Sequence, residues 1–411
     1  MNPAPVPDSP PAHISCTVRQ NGEVLGYVVI DSIIGGRYCG GLWMLPDVDE
    51  AEIAGLARAM TLKYGFLGLP QGGAKAGVRG DPEASLAVRR ERLRAFGRAI
   101  APLLTNRVYA PHADMGTDNA IIRELLETVG VEVKRRELRG LDSGYYTALT
   151  VMAGVQQGAR QIGLDLSRAR VAIEGFGKVG GALGGLLAAA QIRVVAVSTS
   201  RGALYNSRGL DMQRVSSLAA EMGSRFVEAY PDADRIERTA LLELPVDILC
   251  PCARHGSVHA GNADRIAAKL IVPGANNPVT SEAEQALRGR SVLCLPDFVT
   301  NAGGVLGGTM EFARQPRTSI EAVIDQRFGA RIARLLDQAA QQNVPPRDLA
   351  EREARERFAR MQQDAERLTW RSRLLAAGLE CHRRGWVPGG LVRRLSRPYF
   401  EQRAQPTDDV R

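Results

Sequence analysis

Apolar and polar residues alternate with period two from Ile14 to Ile30, interrupted by Asn21-Gly22, a pattern that predicts two strands joined by a tight turn. The next stretch, Ile34 to Gly41, is punctuated by glycines and reads as a loop. The period changes after Asp49: Ile53, Leu56, Ala57, Met60 and Tyr64 recur at helical spacing, and Asp49 with Glu52 makes a capping box. Lys63 lies beside that apolar face, either snorkelling outward or aimed into a site. Tyr109 to Thr117 reads as a short strand entering a turn. From Arg170 to Glu174 a buried strand is expected, then a turn over Gly175 to Gly180, a helix over Gly181 to Ala190 and a second strand over Ile192 to Val197, which together make one βαβ unit. Apolar runs at Val246 to Leu249, Leu270 to Val272 and Val292 to Leu295 are expected to add strands to the same parallel sheet. The proline-dotted residues 1–12 are expected to be a disordered tail.

With 411 residues and 45% apolar content, the chain is long enough for two domains with separate cores. No stretch approaches the roughly 18 apolar residues of a spanning helix, so no membrane role is expected. The 53 basic and 45 acidic side chains leave a charge of +8, but 15 arginines against 10 acids fall within 346–411. Over Asp348 to Arg360 the signs mix at helical spacing with no binding signature, the pattern of a solvated helix rather than a nucleic-acid surface. The informative figure is lysine: five (Lys63, Lys75, Lys134, Lys178 and Lys269) against 48 arginines. Six irregularly spaced cysteines suit a reducing cytoplasm. Cys250 and Cys252 lack a second pair to complete a zinc site and read as small buried side chains, so no metal is expected.

Three constellations carry chemistry. Gly175-Phe176-Gly177-Lys178-Val179-Gly180 stands between a predicted strand and helix, where such glycines let a dinucleotide pyrophosphate approach the helix N-terminus. After the second strand an NAD site usually offers an acid to the ribose; here stand Ser198, Thr199, Ser200 and Arg201, which suit a 2′-phosphate and favour NADP over NAD. The bland alternative is a surface turn whose arginine contacts nothing. The second constellation is Lys63 with Gly72 to Gly77 around Lys75. Both basic residues between Arg58 and Arg79 are lysines in an arginine-rich chain, and a buried lysine, unlike arginine, can lose its proton near neutral pH. A water-exposed loop lysine is the alternative. The third is Asp114, which either accepts a proton or caps the helix that follows.

Together these segments resemble the glutamate/leucine/phenylalanine/valine dehydrogenase family from about Gly36 to Phe312. The matching runs are Gly40-Gly41-Leu42 with Pro46-Asp47-Val48, Leu69 to Gly77, Asp114 to Thr117, Gly175 to Gly180, Gly274 to Pro278 and Asn301 to Val305. The resemblance implies an α/β chain: an N-terminal α/β substrate and oligomerisation domain over 13–140, a Rossmann-type dinucleotide-binding domain over 141–345, a cleft between them, and a helical segment over 346–411 packing back on the substrate domain. It implies Lys75 as the catalytic lysine, Asp114 as acceptor of the amine proton and Lys63 as partner of the substrate α-carboxylate. Gly41 belongs to the same substrate region, Thr147 lies near the cofactor, and Asn276 and Asn301 line nicotinamide and substrate.

Family members that use glutamate carry a lysine where this chain has Cys39 and a serine where it has Gly308, the two groups that hold the side-chain carboxylate. An unpaired carboxylate in a closed pocket costs several kcal/mol, so a neutral, mostly apolar substrate is expected. Trp43 and Lys178 also depart from the family pattern, where arginine and asparagine are usual. The expected activity is NAD(P)-dependent oxidative deamination of a neutral L-α-amino acid to its 2-oxo acid and ammonia, run reversibly. The alternatives are glutamate, with another side chain supplying the missing cation, and a catalytically silent member acting as a regulatory subunit. The resemblance also implies a homo-oligomer.

Overall fold

The computed structural model describes residues 14–35, 38–133, 142–366, 378, 381–382 and 386–405; the N-terminal tail, Gly36 and Lys134 lie outside them. These residues fall into two compact units, Met1–Gly140 with Glu356–Thr369, and Leu141–Arg355 with Trp370–Arg411.

In the first unit β1 (Ile14–Gln20) and β2 (Glu23–Ile30) pair antiparallel across Asn21 and Gly22, whose φ values of 51° and 85° are the left-handed pair a two-residue turn requires. β3 (Tyr38–Leu45), β4 (Gly72–Arg79) and β5 (Tyr109–Ala113) complete a sheet of order β1-β2-β4-β3-β5. β3 thus occupies part of the expected loop over Ile34 to Gly41. Its glycines serve close approach rather than a turn: a Cβ on Gly40 would overlap the Ala74 carbonyl, and one on Gly41 the Asp114 carboxylate.

α1 (Glu50–Leu67) starts where Asp49 accepts the Glu52 N–H at 2.8 Å and stops at Gly68, which adopts the left-handed conformation. Its Ile53, Leu56 and Ala57 pack on Tyr27, Val29 and Trp43. The helix settles closely on β4 because Gly73 and Gly77 carry no side chain; a Cβ at either would strike Thr61 and Ala57, or Ile53 and Val48. The other sheet face, with Val28, Leu42, Met44 and Ala76, is covered by α2 (Leu86–Ala99), α3 (Ala101–Thr105) and α4 (Asn119–Thr128) through Leu93, Phe96, Leu104 and Ile121. Each such buried side chain contributes about 1.5–3 kcal/mol.

The second unit opens with α5 (Ser143–Gln161), followed by the βαβ unit β6 (Arg170–Glu174), α6 (Lys178–Ala189) and β7 (Arg193–Thr199). Then come β8 (Gly202–Tyr205), α7 (Met212–Met222), α8 (Phe226–Ala229), β9 (Asp234–Ile236), β10 (Ile248–Pro251), β11 (Leu270–Ile271), α9 (Ser281–Gly289) and β12 (Leu293–Cys294). The sheet order is β12-β11-β10-β6-β7-β8-β9. Its first five strands in that order are parallel, as expected, but β8 and β9 make one edge antiparallel. Only Ser200 and Arg201 separate β7 from β8, a link too short for the crossover a parallel pair needs.

α10 (Asp297–Thr300), α11 (Gly303–Phe312) and α12 (Arg317–Ala322) follow, and a π-helical stretch, Val323–Phe328, leads into α13 (Gly329–Gln342), α14 (Pro346–Glu366) and α15 (Gly389–Ala404). Of the segment expected to pack back on the substrate domain, the residues from Glu356 lie in the first unit, where Arg357 donates to the Phe66 carbonyl and Gln362 to that of Ile33. Residues 346–355 and α15 lie in the second. Among the described residues no helix is long and apolar enough to cross a membrane, and no three His, Cys, Asp or Glu side chains are grouped to hold a metal.

Candidate active site

Strand pleating decides which side chains of the first unit meet. Cys39 lies opposite Gly73 and Ala110, Gly41 opposite His112, and Trp43 opposite Gly77, so Cys39, Gly41, Trp43, Lys75, His112 and Asp114 share the face that α1 covers. Lys75 is 1% exposed on β4, which removes the exposed-loop alternative. Its Nζ lies 2.6 Å from Asp114 Oδ2 and 4.8 Å above the Trp43 ring. The side chain that caps α4 is Asp118, accepting the Ile121 N–H at 2.9 Å, which leaves Asp114 for the lysine. Asp114 Oδ1 accepts the Met115 N–H at 2.8 Å, and Thr117 pins the turn by accepting from Asp114 N and donating to the Leu42 carbonyl. Burial works against an ionised Asp114, but the Lys75 ammonium and these donors outweigh it and hold the carboxyl below its usual range. Lys63 is buried on α1.

Cys39 is buried, with His112, Tyr64 and Gln71 as hydrogen-bonding neighbours. Burial pushes the thiol up, yet these neighbours, His112 foremost, bring it below its ordinary value; Cys39 in turn holds the His112 imidazole above its own. The sequence reading passed over His112. Its signal was the period of two: 110, 112 and 114 share one face, as do 39, 41 and 43, and only the register that brings β5 beside β3 joins the two sets.

In the second unit the glycine turn follows β6. Gly175 has φ +90°, the backbone at Gly177 has open space around its Cα, and a Cβ on Gly180 would overlap the Gly175 carbonyl. α6 begins at Lys178, earlier than expected, with Gly177 as its N-cap and no side chain bonding its first N–H groups. Gly177 and Lys178 are exposed, Phe176 and Val179 partly so. Uncapped N–H groups facing open space fit a dinucleotide pyrophosphate. Ser198 and Thr199, both buried, bond within the fold: Ser198 Oγ accepts the Gly175 N–H at 2.9 Å, and Thr199 donates to the Ser224 carbonyl. Ser198 therefore shapes the turn, while Arg201 is exposed on the β7–β8 link. Thr147 donates to the Ser143 carbonyl beside Gly304, Asn301 donates to Asn276 Oδ1 at 2.9 Å and to the Ala275 carbonyl, and Gly308 is buried on α11. The thiols of Cys250 and Cys252 are raised by burial, as inert side chains are.

Glu174 sits at the end of β6, 6% exposed, accepting from Ser257 at 3.1 Å. Burial pushes its carboxyl up to about 7, against the pull of Ser257, Arg238 and the Ala253 N–H. Because the folded value lies above the unfolded one, the cost is absent below pH about 4.5 and complete above about 7, where it approaches 3 kcal/mol. Glu174→Gln, which keeps a polar group of the same shape, is expected to gain about 1–3 kcal/mol at pH 8 and little at pH 4.5. Denaturant unfolding at both pH values checks this; an equal gain at both would point to another cause.

A glycine turn at the carboxyl end of a central parallel strand, together with a buried lysine paired to a carboxylate on a separate α/β unit, defines a dinucleotide-dependent dehydrogenase of amine-bearing carbons. The chain belongs to the Glu/Leu/Phe/Val dehydrogenase family: the family model described as Glutamate/Leucine/Phenylalanine/Valine dehydrogenase matches residues 141–365, and that described as the Glu/Leu/Phe/Val dehydrogenase dimerisation domain matches 11–130. It is 36% identical over 305 residues to a glutamate dehydrogenase of Thermotoga maritima, covering 70% of this chain and 72% of that protein. An NADP-specific glutamate dehydrogenase of Saccharolobus shibatae is 32% identical over 68% of each chain. An NAD-specific glutamate dehydrogenase A of Halobacterium salinarum is 34% identical over 75% of this chain and 74% of its own. Among solved structures, a hetero-hexameric glutamate dehydrogenase from Thermus thermophilus in a Leu-bound form matches with a TM-score of 0.73 at 28% identity, over 86% of this chain and 89% of that one. The protein is an amino acid dehydrogenase with a nicotinamide cofactor.

Proposed function

We propose that the protein catalyses reversible oxidative deamination of L-glutamate with NAD or NADP. The observation that carries the reaction type is the pair of buried Lys75 and half-buried Asp114, 2.6 Å apart on the face beneath α1. Deamination needs the substrate ammonium to lose a proton before Cα gives up hydride, and the resulting iminium must then take up water. The ionised Asp114 carboxylate accepts from the ammonium, Lys75 passes protons to and from it and the attacking water, and Lys63 holds the α-carboxylate. A nicotinamide cofactor held at the Gly175 to Gly180 turn would supply the hydride acceptor.

Glutamate, the second choice on sequence grounds, is better supported than a neutral side chain, because relatives covering two thirds or more of both chains are named glutamate dehydrogenases. The neutral reading keeps one specific support: Cys39 carries no amine and Gly308 no hydroxyl. Arg201 favours NADP. Assembly as a homo-oligomer through the N-terminal unit agrees with the description of the model that matches it.

The test is a screen of the twenty L-amino acids with NAD and with NADP, following absorbance of the reduced cofactor. Glutamate is expected to give the highest kcat/KM. Leucine, valine or phenylalanine outpacing it would restore the neutral reading, and cofactor binding without any turnover would favour a silent subunit.

A further inference from the structure

We propose that His112 is the group that binds the substrate's side-chain carboxylate, taking the part that the absent amine at position 39 would otherwise play. This rests on the glutamate reading and names the residue that makes it possible. The placement comes from register: Gly41 of β3 is paired with His112 of β5, and Cys39, two residues back on the same face, has its thiol against the imidazole. His112 is exposed whereas Cys39 is buried, so His112 is the member of the pair that is open to solvent on this face. A cation of side-chain length therefore reaches the neighbourhood of Cys39 from the adjacent strand.

The pair also sets how the carboxylate is taken up. The groups that act on His112 are Cys39 on β3 and Asp114 two residues along its own strand; Cys39 in turn meets Tyr64 on α1 and Tyr109 on β5, and Asp114 pairs with Lys75 on β4. Asp114 is already neutralised by Lys75. Wherever Cys39 is ionised, it is the anion that competes for the imidazolium. A substrate carboxylate that pairs with His112 favours the thiol form of Cys39, because two anions cannot share one cation without loss. Binding a dicarboxylate therefore draws about one proton from solution where the free pair holds only one between its two sites, and affinity falls as pH rises past the titration of the pair. An amino acid without a side-chain carboxylate draws none.

Two measurements test this. His112→Ala is expected to raise KM for glutamate about thirtyfold, the loss of one charge-assisted hydrogen bond, while lowering kcat much less. Adding Cys39→Lys in that background is expected to recover most of the lost affinity. For the unmodified chain, calorimetry of glutarate binding across a pH series, in two buffers of different ionisation heat, is expected to show a window of net proton uptake. Glutarate that does not bind, or binds with no proton uptake, overturns the inference, as does an unchanged KM in His112→Ala. If wild-type protein turns over glutamate in those cases, only the role of His112 falls. If glutamate is not turned over at all, the substrate reading falls with it.

Discussion

Lys75→Ala is expected to lower kcat with glutamate by at least about a thousandfold while changing the dissociation constant of the reduced cofactor by less than about threefold. The lysine is placed by β4, whose neighbours Gly73 and Gly77 let α1 close over that face, so its amine has almost no access to bulk water. An alanine leaves the fold a tolerable cavity but leaves Asp114 as a carboxylate with no cation beside it. Asp114→Asn removes the other half and is expected to be as damaging, since an amide keeps the shape and loses the charge that receives the ammonium. The two losses should not add: a double variant about as slow as either single one marks a pair acting as a unit. Stopped-flow turnover and fluorescence titration of the reduced cofactor check both halves. Wild-type rates in either single variant would remove that residue from the chemistry.

Arg347→Ala is expected to cost about 3–5 kcal/mol of stability at pH 7.5. Arg347, at the start of α14, donates from Nε to Glu284 at 2.6 Å and from Nη2 to Asp297 at 2.9 Å, and Asp297 is fully buried. Burial opposes the guanidinium charge, and Asp297 and Glu284 more than offset it; burial likewise raises Glu284 above the ordinary carboxylate range despite the arginine. Without the arginine two buried carboxylates face each other uncompensated. Their protonation at lower pH relieves the repulsion, so the deficit should shrink at pH 5, a sign opposite to what lost packing alone would give. Urea unfolding at the two pH values distinguishes them. The damage should also reach the site: Asp297 Oδ2 accepts the N–H of Asn277, a residue at φ 49° next to Asn276, which in turn accepts from Asn301. A weaker cofactor complex alongside the stability loss is therefore expected.

Local signals in the sequence were legible wherever one short segment contains both partners. Asn21-Gly22, the Asp49/Glu52 box and the glycines from 175 to 180 each act on backbone within a few residues; the first two appear in the structure as read, and the glycine turn does too, except that its helix starts three residues sooner, at Lys178. What was not legible depends on residues far apart in the chain. Gly40 and Gly41 looked like a loop because the atoms that require them to lack a side chain, the Ala74 carbonyl and the Asp114 carboxylate, arrive from other strands. His112 and Cys39 are 73 positions apart and meet only through the β3–β5 register. Ser198, near the end of β7, looked like a ligand for a phosphate, and only its bond to Gly175 N–H reveals a structural duty. Arg347 looked like one more surface charge in an arginine-rich helix.

The bond between Lys75 and Asp114 has a bearing on selectivity over competitors rather than on rate. With one carboxylate oxygen on the lysine and the other on the Met115 N–H, the resting site presents no bare anion. Potassium and stray amines, abundant in any cell, must compete with an intramolecular cation already in place. A true substrate differs from them in bringing its own carboxylates, whose binding elsewhere can compensate for prising the amine of Lys75 aside. The ion pair thus works as a latch against simple cations, opened only by a molecule that carries both charges at the right spacing.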